Sequence, residues 1–294
     1  GQGLSILVQS EGQTMIYDGG DRSTSSFVVS YLKEQNVSKI DYLISSHYDS
    51  DHMAGLIGCL NAFEVDHVIS SDYVHDSKLY TSFVNTVDEK GLEMEHPEVG
   101  TTFSFGSGSF QILAPAETDP NGSNNNSVAI KLTNGSNSFI FTGDAEASSE
   151  AAMCNSGIDL DCDVLSVGHH GSATATSWDF LQATVPQFAV ISCGAGNMYG
   201  HPDADTMEKL QEFQRGKAEK EPALSFRRMH PHFLAYSSLG CSCGLLVAVT
   251  LDAMYLENEN VQKVIHAPVV AFSGEDSSAF GDCQMILHPN LIDS

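Results

Sequence analysis

Five apolar, β-like runs in this chain stop on the same chemistry, a crowd of glycine or serine with aspartate and histidine. They are "YDGG" with Asp18, "SSHYDSDH" ending at His52, "FTGDAE" with Asp144, "SVGHHGS" with His169 and His170, and "YGHPD" with His201. Singly, each ending is ordinary. Asp144 suits a helix N-cap, and a solitary His201 is more often a surface residue. Five such endings point instead to a fold that gathers the termini of several strands around one spot.

The densest ending packs His47, Asp49, Asp51 and His52 into six residues directly after an apolar run. Crowded carboxylates repel one another, and imidazoles are costly to bury. One or two divalent cations relieve both costs, neutralising the acids and taking the imidazole lone pairs. The preceding strand ends in "SS" and "MAGL" opens a helix, so the cluster is expected on a strand-to-helix loop, where a rigid scaffold positions an open tip. The plainer alternative makes Asp51 a helix cap and the histidines surface groups. The four other strand ends weigh against it.

Period-two apolar runs predict strands at 4–10, 13–20, 39–46, 67–70, 101–106, 109–115, 127–135, 138–144, 163–168, 188–194, 232–238 and 244–253. Helical spacing predicts helices at 23–37, 53–63, 79–91, 145–155, 176–184 and 203–216. Strand-rich halves with interspersed helices predict two sheets packed together under outer helices. No linker or short repeat divides the chain, so a main domain over 1–265 with an extension over 266–294 is expected. Trp178 lies on a predicted helix and is expected in the core. The glycines of "GQG" and "YDGG" read as tight turns, and "MHPHF" with His230 and His232 as surface histidines.

At 294 residues the chain is long enough for a sizeable core, and 41% hydrophobic content is ordinary for a globular protein. No apolar run approaches the roughly 18 residues a membrane helix needs. The first residue is Gly1, with no signal peptide, which reads as a processed or trimmed product and leaves export open. The 38 acidic against 13 basic residues give a formal charge of −25. Such a surface disfavours long nucleic acid, because affinity for phosphate backbones is built from Lys and Arg. "FRRMH" is the one tight basic cluster. Seven cysteines without a CxxC pair disfavour a zinc ribbon. Cys154 with Cys162, or Cys241 with Cys283, are candidate disulfides of an exported protein, and buried thiols are the alternative.

Taken in order, "GQGLSILVQSEGQTMIYDGG", "SSHYDSDHMAGL", "NNNSVAIKL", "FIFTGD" and "VLSVGHHGS" resemble the motifs of the metallo-β-lactamase superfamily. Within it they are similar to the hydrolase module of the ComEC/Rec2 competence-protein group. "YGHP" and the strand around "GCSCGLLVAVTLD" carry the likeness to about Leu256. The resemblance implies an α/β fold, an αββα sandwich of two mixed sheets flanked by helices, with a metal site at one sheet edge. It implies that His47 and Asp49 serve one metal and Asp51 and His52 another. Asp144 bridges them, His169 or His170 completes the site, and Asp18 supports it. His201 approaches as a ligand or as a donor to a developing oxyanion.

Two departures from the superfamily pattern change the ligand set. Asp49 stands where the commonest motif, HxHxDH, has its second histidine. The usual lone histidine before the Asp144 motif is replaced by "NNNS", leaving Asn124 or Asn126 as a weak stand-in and His96 too far upstream. Both changes put oxygen for nitrogen, which tilts preference from zinc towards manganese or magnesium. Zinc or manganese, as one ion or two, is the expected cofactor.

The implied chemistry is hydrolysis by a metal-bound hydroxide, with Asp51 orienting the water or assisting proton transfer and His201 stabilising charge. A phosphoester or phosphodiester is the expected substrate, a small molecule rather than long DNA. A lactone or β-lactam at the same site is the alternative, and a non-catalytic binding module is the third reading. "GHHGS" does not resemble a serine nucleophile elbow.

Overall fold

The computed structural model describes residues 3–120, 122–194 and 196–220, and the strands at 233–235 and 245–250. Its first half alternates strands β1 (Leu4–Ser10), β2 (Gln13–Tyr17), β3 (Lys39–Ile44), β4 (Glu64–Ile69) and β5 (Met94–Glu95) with helices α1 (Ser25–Glu34), α2 (Ser50–Ala62) and α3 (Lys78–Glu89). Two hairpins follow, β6 (Thr102–Phe105) with β7 (Gly108–Ala114), and β8 (Ala129–Asn134) with β9 (Asn137–Phe141). The chain then alternates again through α4 (Ala147–Asn155), β10 (Val164–Ser166), α5 (Trp178–Thr184), β11 (Phe188–Ile191) and α6 (Ala204–Lys220). Strands β12 (Phe233–Ala235) and β13 (Leu245–Thr250) close the two sheets, one on each.

The strand order is β13-β1-β2-β3-β4-β5 in one sheet and β12-β11-β10-β9-β8-β7-β6 in the other. Period-two patterning explains why they stack. On β1, Leu4, Ile6 and Val8 face the second sheet, whereas Leu7 faces the helices. On β9, Phe139 and Phe141 point inward and Ile140 outward. The inner layer joins these to Met15, Tyr17, Ile44, Phe110, Ile130 and Leu132. Each such buried side chain contributes about 1.5–3 kcal/mol, so inter-sheet burial outweighs the tenths of a kcal/mol set by strand propensity. Helices α1, α2 and α3 cover one outer face through Tyr31, Leu56, Leu60 and Phe83, and α4, α5 and α6 cover the other through Met153, Phe180 and Leu210. The αββα sandwich is the observed architecture.

Strands β2, β3 and β4 run parallel, as do β9, β10 and β11. Their carboxyl ends therefore open at one edge of the sandwich, where loops from both sheets meet.

Several expectations need correction. Helix α2 begins at Ser50 rather than Met53, so Asp51 and His52 sit in its first turn and not on the preceding loop. The helix docks so closely on the loop after β2 that a Cβ added to Gly55 would lie 1.8 Å from the Gly19 carbonyl oxygen. Trp178 is the first residue of α5 and is 37% exposed, outside the core. Cys154 and Cys162 are thiols and form no disulfide. Among the described residues no helix is long and apolar enough to cross a membrane. The expected boundary near 265, the 266–294 extension, "FRRMH", His230, His232, Cys241 and Cys283 lie outside the described residues.

Candidate metal centre

Asp18, at the end of β2, is wholly buried with φ of 61°. One of its carboxylate oxygens accepts from the Ser46 amide at 2.7 Å. The other accepts from the Ser46 hydroxyl at 2.7 Å and faces His52 Nδ1 at 2.8 Å. Because the Ser46 proton goes to Asp18, its oxygen is left to accept from His47 Nδ1, 3.0 Å away. One carboxylate thus directs both imidazoles to carry their proton on Nδ1 and to turn Nε2 towards the sheet edge.

His170 is set the same way from the second sheet. Its Nδ1 lies 2.8 Å from the Ser192 carbonyl, which can only accept, so Nδ1 carries the proton there. Its Nε2 then comes within 3.1 Å of His52 Nε2. Two lone pairs at that distance repel unless a cation or a proton lies between them.

Asp144, from the turn after β9, stands at the middle. Its Oδ1 lies 3.2 Å from His52 Nε2 and 3.6 Å from His170 Nε2, and Asp51 Oδ2 lies 3.5 Å from the same His170 nitrogen. Its Oδ2 faces the other side, 3.9 Å from His47 Nε2 and 3.7 Å from His169 Nε2. Asp49 Oδ2 lies 3.6 Å from His47 Nε2. A tetrahedral zinc with bonds of about 2.0–2.2 Å spaces its ligand atoms about 3.3–3.6 Å apart. The Asp51, His52 and His170 side matches that spacing, and the His47, Asp49 and His169 side is wider, with each side offering two imidazoles, one carboxylate of its own and one Asp144 oxygen.

Two unsatisfied groups reinforce the fit. His47 Nε2 and Asp144 Oδ1 are buried without a well-aligned hydrogen-bond partner. Leaving such groups unpaired costs about 1–3 kcal/mol each, and a shared cation satisfies both. The electrostatics agree. Burial pushes the Asp144 carboxyl up, yet the imidazoles of His52, His170 and His47 hold it well below the usual carboxylate range. Burial pushes His52 down, but Asp144 and Asp18 hold it well above the usual imidazole value. His170 is raised against its burial by Asp144 and Asp51. Asp51, opposed by burial, is brought to about 2 by His170 and His52. The centre favours positive charge at the point where its side chains converge.

The sequence left open whether His169 or His170 takes part, and the structure brings both. Both have positive φ, 48° and 55°, in a tight turn that sends successive side chains to opposite sides of Asp144. His201 does not end a strand as expected, since β11 stops at Ile191; it lies on the loop before α6 and stands farther out. Its ring lies 5.8 Å from that of His169, and its Nδ1 is 3.3 Å from Asp203 Oδ2 without a well-aligned hydrogen bond. Burial lowers its pKa.

The stand-ins for the missing histidine are spent elsewhere. Asn126 closes its own loop, accepting from the Asp119 amide at 2.8 Å and donating to the Asp119 and Gly122 carbonyls. Asn124 donates to Glu146, and His96 Nδ1 lies 2.9 Å from the Ser70 carbonyl. What the sequence concealed is His75, on the loop between β4 and α3, with Nε2 3.9 Å from Asp49 Oδ1. No motif marks it, and only the folding of that loop over Asp49 brings it near.

ComE operon protein 3 of Bacillus subtilis is 30% identical over 230 residues, 72% of this chain and 30% of the relative. Recombination protein 2 of Haemophilus influenzae is 31% identical over 219 residues, 73% of this chain and 26% of the relative. Competence protein ComA of Neisseria gonorrhoeae is 29% identical over 215 residues, 72% and 28% of the two chains. The chain thus spans less than a third of each of these relatives. The family described as the metallo-beta-lactamase superfamily matches residues 1–194. With that match over most of its length, on an αββα sandwich whose strand ends converge on Asp144, the chain belongs to the metallo-β-lactamase superfamily.

Proposed function

We propose that this protein is a metal-dependent hydrolase of phosphoesters, most of all small phosphodiesters. The observation that carries the reading is the Asp144 carboxylate between two groups of inward-facing donors, with His52 and His170 on one oxygen and His47 and His169 on the other. Residues Asp51, His52, His170 and Asp144 would hold one divalent ion, and His47, Asp49, His169 and Asp144 a second. Such ions, zinc or manganese, supply Lewis-acid charge and make water a nucleophile near neutral pH.

The chain's own residues supply the rest. Asp18 and Ser192 hold the ligand tautomers. Asp51, 27% exposed and ionised down to about pH 2, is too weak a base to hold the water's proton and instead accepts a hydrogen bond from the attacking water, orienting it. His201, at the rim and kept neutral by burial, donates towards charge that develops on the substrate.

The carboxylate of Asp49, where the commonest motif has nitrogen, favours harder ions such as manganese, and hard ions suit phosphoryl oxygens. A relative named for recombination is compatible with a phosphodiester. The net charge of −25 argues for a small substrate rather than long nucleic acid.

The test is metal analysis of the purified protein, followed by turnover of bis-p-nitrophenyl phosphate, p-nitrophenyl phosphate, a lactone and nitrocefin with added manganese or zinc. Turnover of the diester, lost in Asp144→Ala, is the expected result. Turnover of only the lactone or nitrocefin would replace the reading with an acyl hydrolase. Silence from a metal-loaded protein would leave a binding module.

A further inference from the structure

His75 has no role in the centre as described above, yet its ring is held in one orientation. The Ser77 amide donates to His75 Nδ1 at 3.1 Å, so Nδ1 is an acceptor and the ring proton sits on Nε2. The rings of Tyr73 and Tyr80 lie 6.2 Å and 6.5 Å from it and fix its tilt. Tyr73 is anchored through its hydroxyl to Ser123, which also interacts with Asp49. The Nε2–H therefore faces the centre from the Asp49 side, as a donor and not as a metal ligand.

That donor is unspent. Asp49 Oδ1, at 3.9 Å, is too distant to accept a hydrogen bond, and no other described residue accepts from Nε2. The opposite oxygen, Asp49 Oδ2, faces His47 Nε2, so His75 stands one carboxylate away from the ligand atoms. Among the described residues no Lys or Arg pairs with Asp49, Asp51 or Asp144. Among the described residues, then, no Lys or Arg paired with these acids stands ready to meet a phosphoryl group.

We infer that His75 donates its Nε2–H to a non-bridging phosphoryl oxygen of the substrate, holding it from the Asp49 side. The inference rests on the phosphodiester reading above. A neutral donor suits this position because a cation there would pair with Asp49 and draw it away from His47.

The experiment compares wild type, His75→Ala and His75→Gln, the last keeping an N–H donor at similar reach. Bis-p-nitrophenyl phosphate turnover, metal content and melting temperature are measured together. Long-range proton–nitrogen correlation spectra of the metal-free protein read the ring tautomer directly. The expected result is an Nε2–H tautomer and a kcat for His75→Ala reduced about 10²-fold, as for loss of one donor to developing charge. Metal content stays unchanged, and His75→Gln recovers part of the loss. Unchanged kcat, loss of metal from His75→Ala, equal loss in both variants, or a proton found on Nδ1 would each overturn the inference while leaving the phosphodiester reading intact. A metal-loaded wild type that leaves the diester untouched would overturn both.

Discussion

Asp18 Oδ2 lies 2.8 Å from His52 Nδ1, with both side chains fully buried, and the same oxygen accepts from the Ser46 hydroxyl that orients His47. A single carboxylate behind the centre thus decides which nitrogen two inward-facing imidazoles present. Asp18→Asn puts an amide of the same shape there, whose –NH2 competes with the Nδ1–H it should accept. Metal affinity is expected to fall about 10–100-fold, the usual cost of losing such a partner. Competition titration with a chromophoric chelator measures it, and unchanged affinity would remove Asp18 from this role.

The approach of α2 to the loop after β2 makes a second prediction. In Gly55→Ala the new methyl would meet the Gly19 carbonyl oxygen at 1.8 Å, and that contact is backbone, which yields only if the helix moves. Overpacking of this kind costs about 1–3 kcal/mol. Denaturant unfolding should show at least that loss. Metal affinity should fall with it, since the His52 carbonyl accepts from the Gly19 amide at 2.6 Å in the same contact.

Glu150 of α4 is buried and accepts from the Thr176 and Ser177 amides at 2.5 and 2.8 Å, securing the chain after the His169–His170 turn. Burial raises its pKa above the ordinary 4.5, despite those two amides. A raised carboxyl value means the folded state binds the proton more tightly than the unfolded one. Its contribution to stability is therefore greatest below pH 4.5 and declines as pH rises through the folded value. Glu150→Gln carries no titrating group, so its melting temperature relative to wild type should improve as pH rises through that window. A difference that stays constant with pH would contradict the raised value.

Asp49 is the oxygen donor where the superfamily's commonest motif has nitrogen, and its Oδ2 faces His47 Nε2 at 3.6 Å. Asp49→His should move preference from manganese towards zinc by about tenfold or more, as ligand softness requires. Metal competition followed by elemental analysis reads the shift. An unchanged ratio would mean that Asp49 does not contact the ion.

Much of this was legible in the chain. Leu4, Ile6 and Val8 alternate with Leu7 of the other face because strand side chains have a period of two, and both faces of β1 are buried, one against the second sheet and one against the helices. The His47–His52 cluster was legible because no apolar core tolerates two acids and two imidazoles in six residues without a compensating cation. The helix start was misjudged by three residues at Met53, since Ser50, Asp51 and His52 are weak helix formers taken up by the first turn.

Sequence alone, then, determined the alternation that makes two sheets, the strand ends that carry the acids and imidazoles, and the oxygen-for-nitrogen exchange at Asp49. It could not decide how His169 and His170 divide, because neighbours in sequence part company only through the backbone dihedrals of a turn. Nor could it show that Asn126 closes its own loop, or that His75 reaches Asp49. Those outcomes depend on where loops remote in sequence come to rest, and only the packing of the two sheets sets those distances.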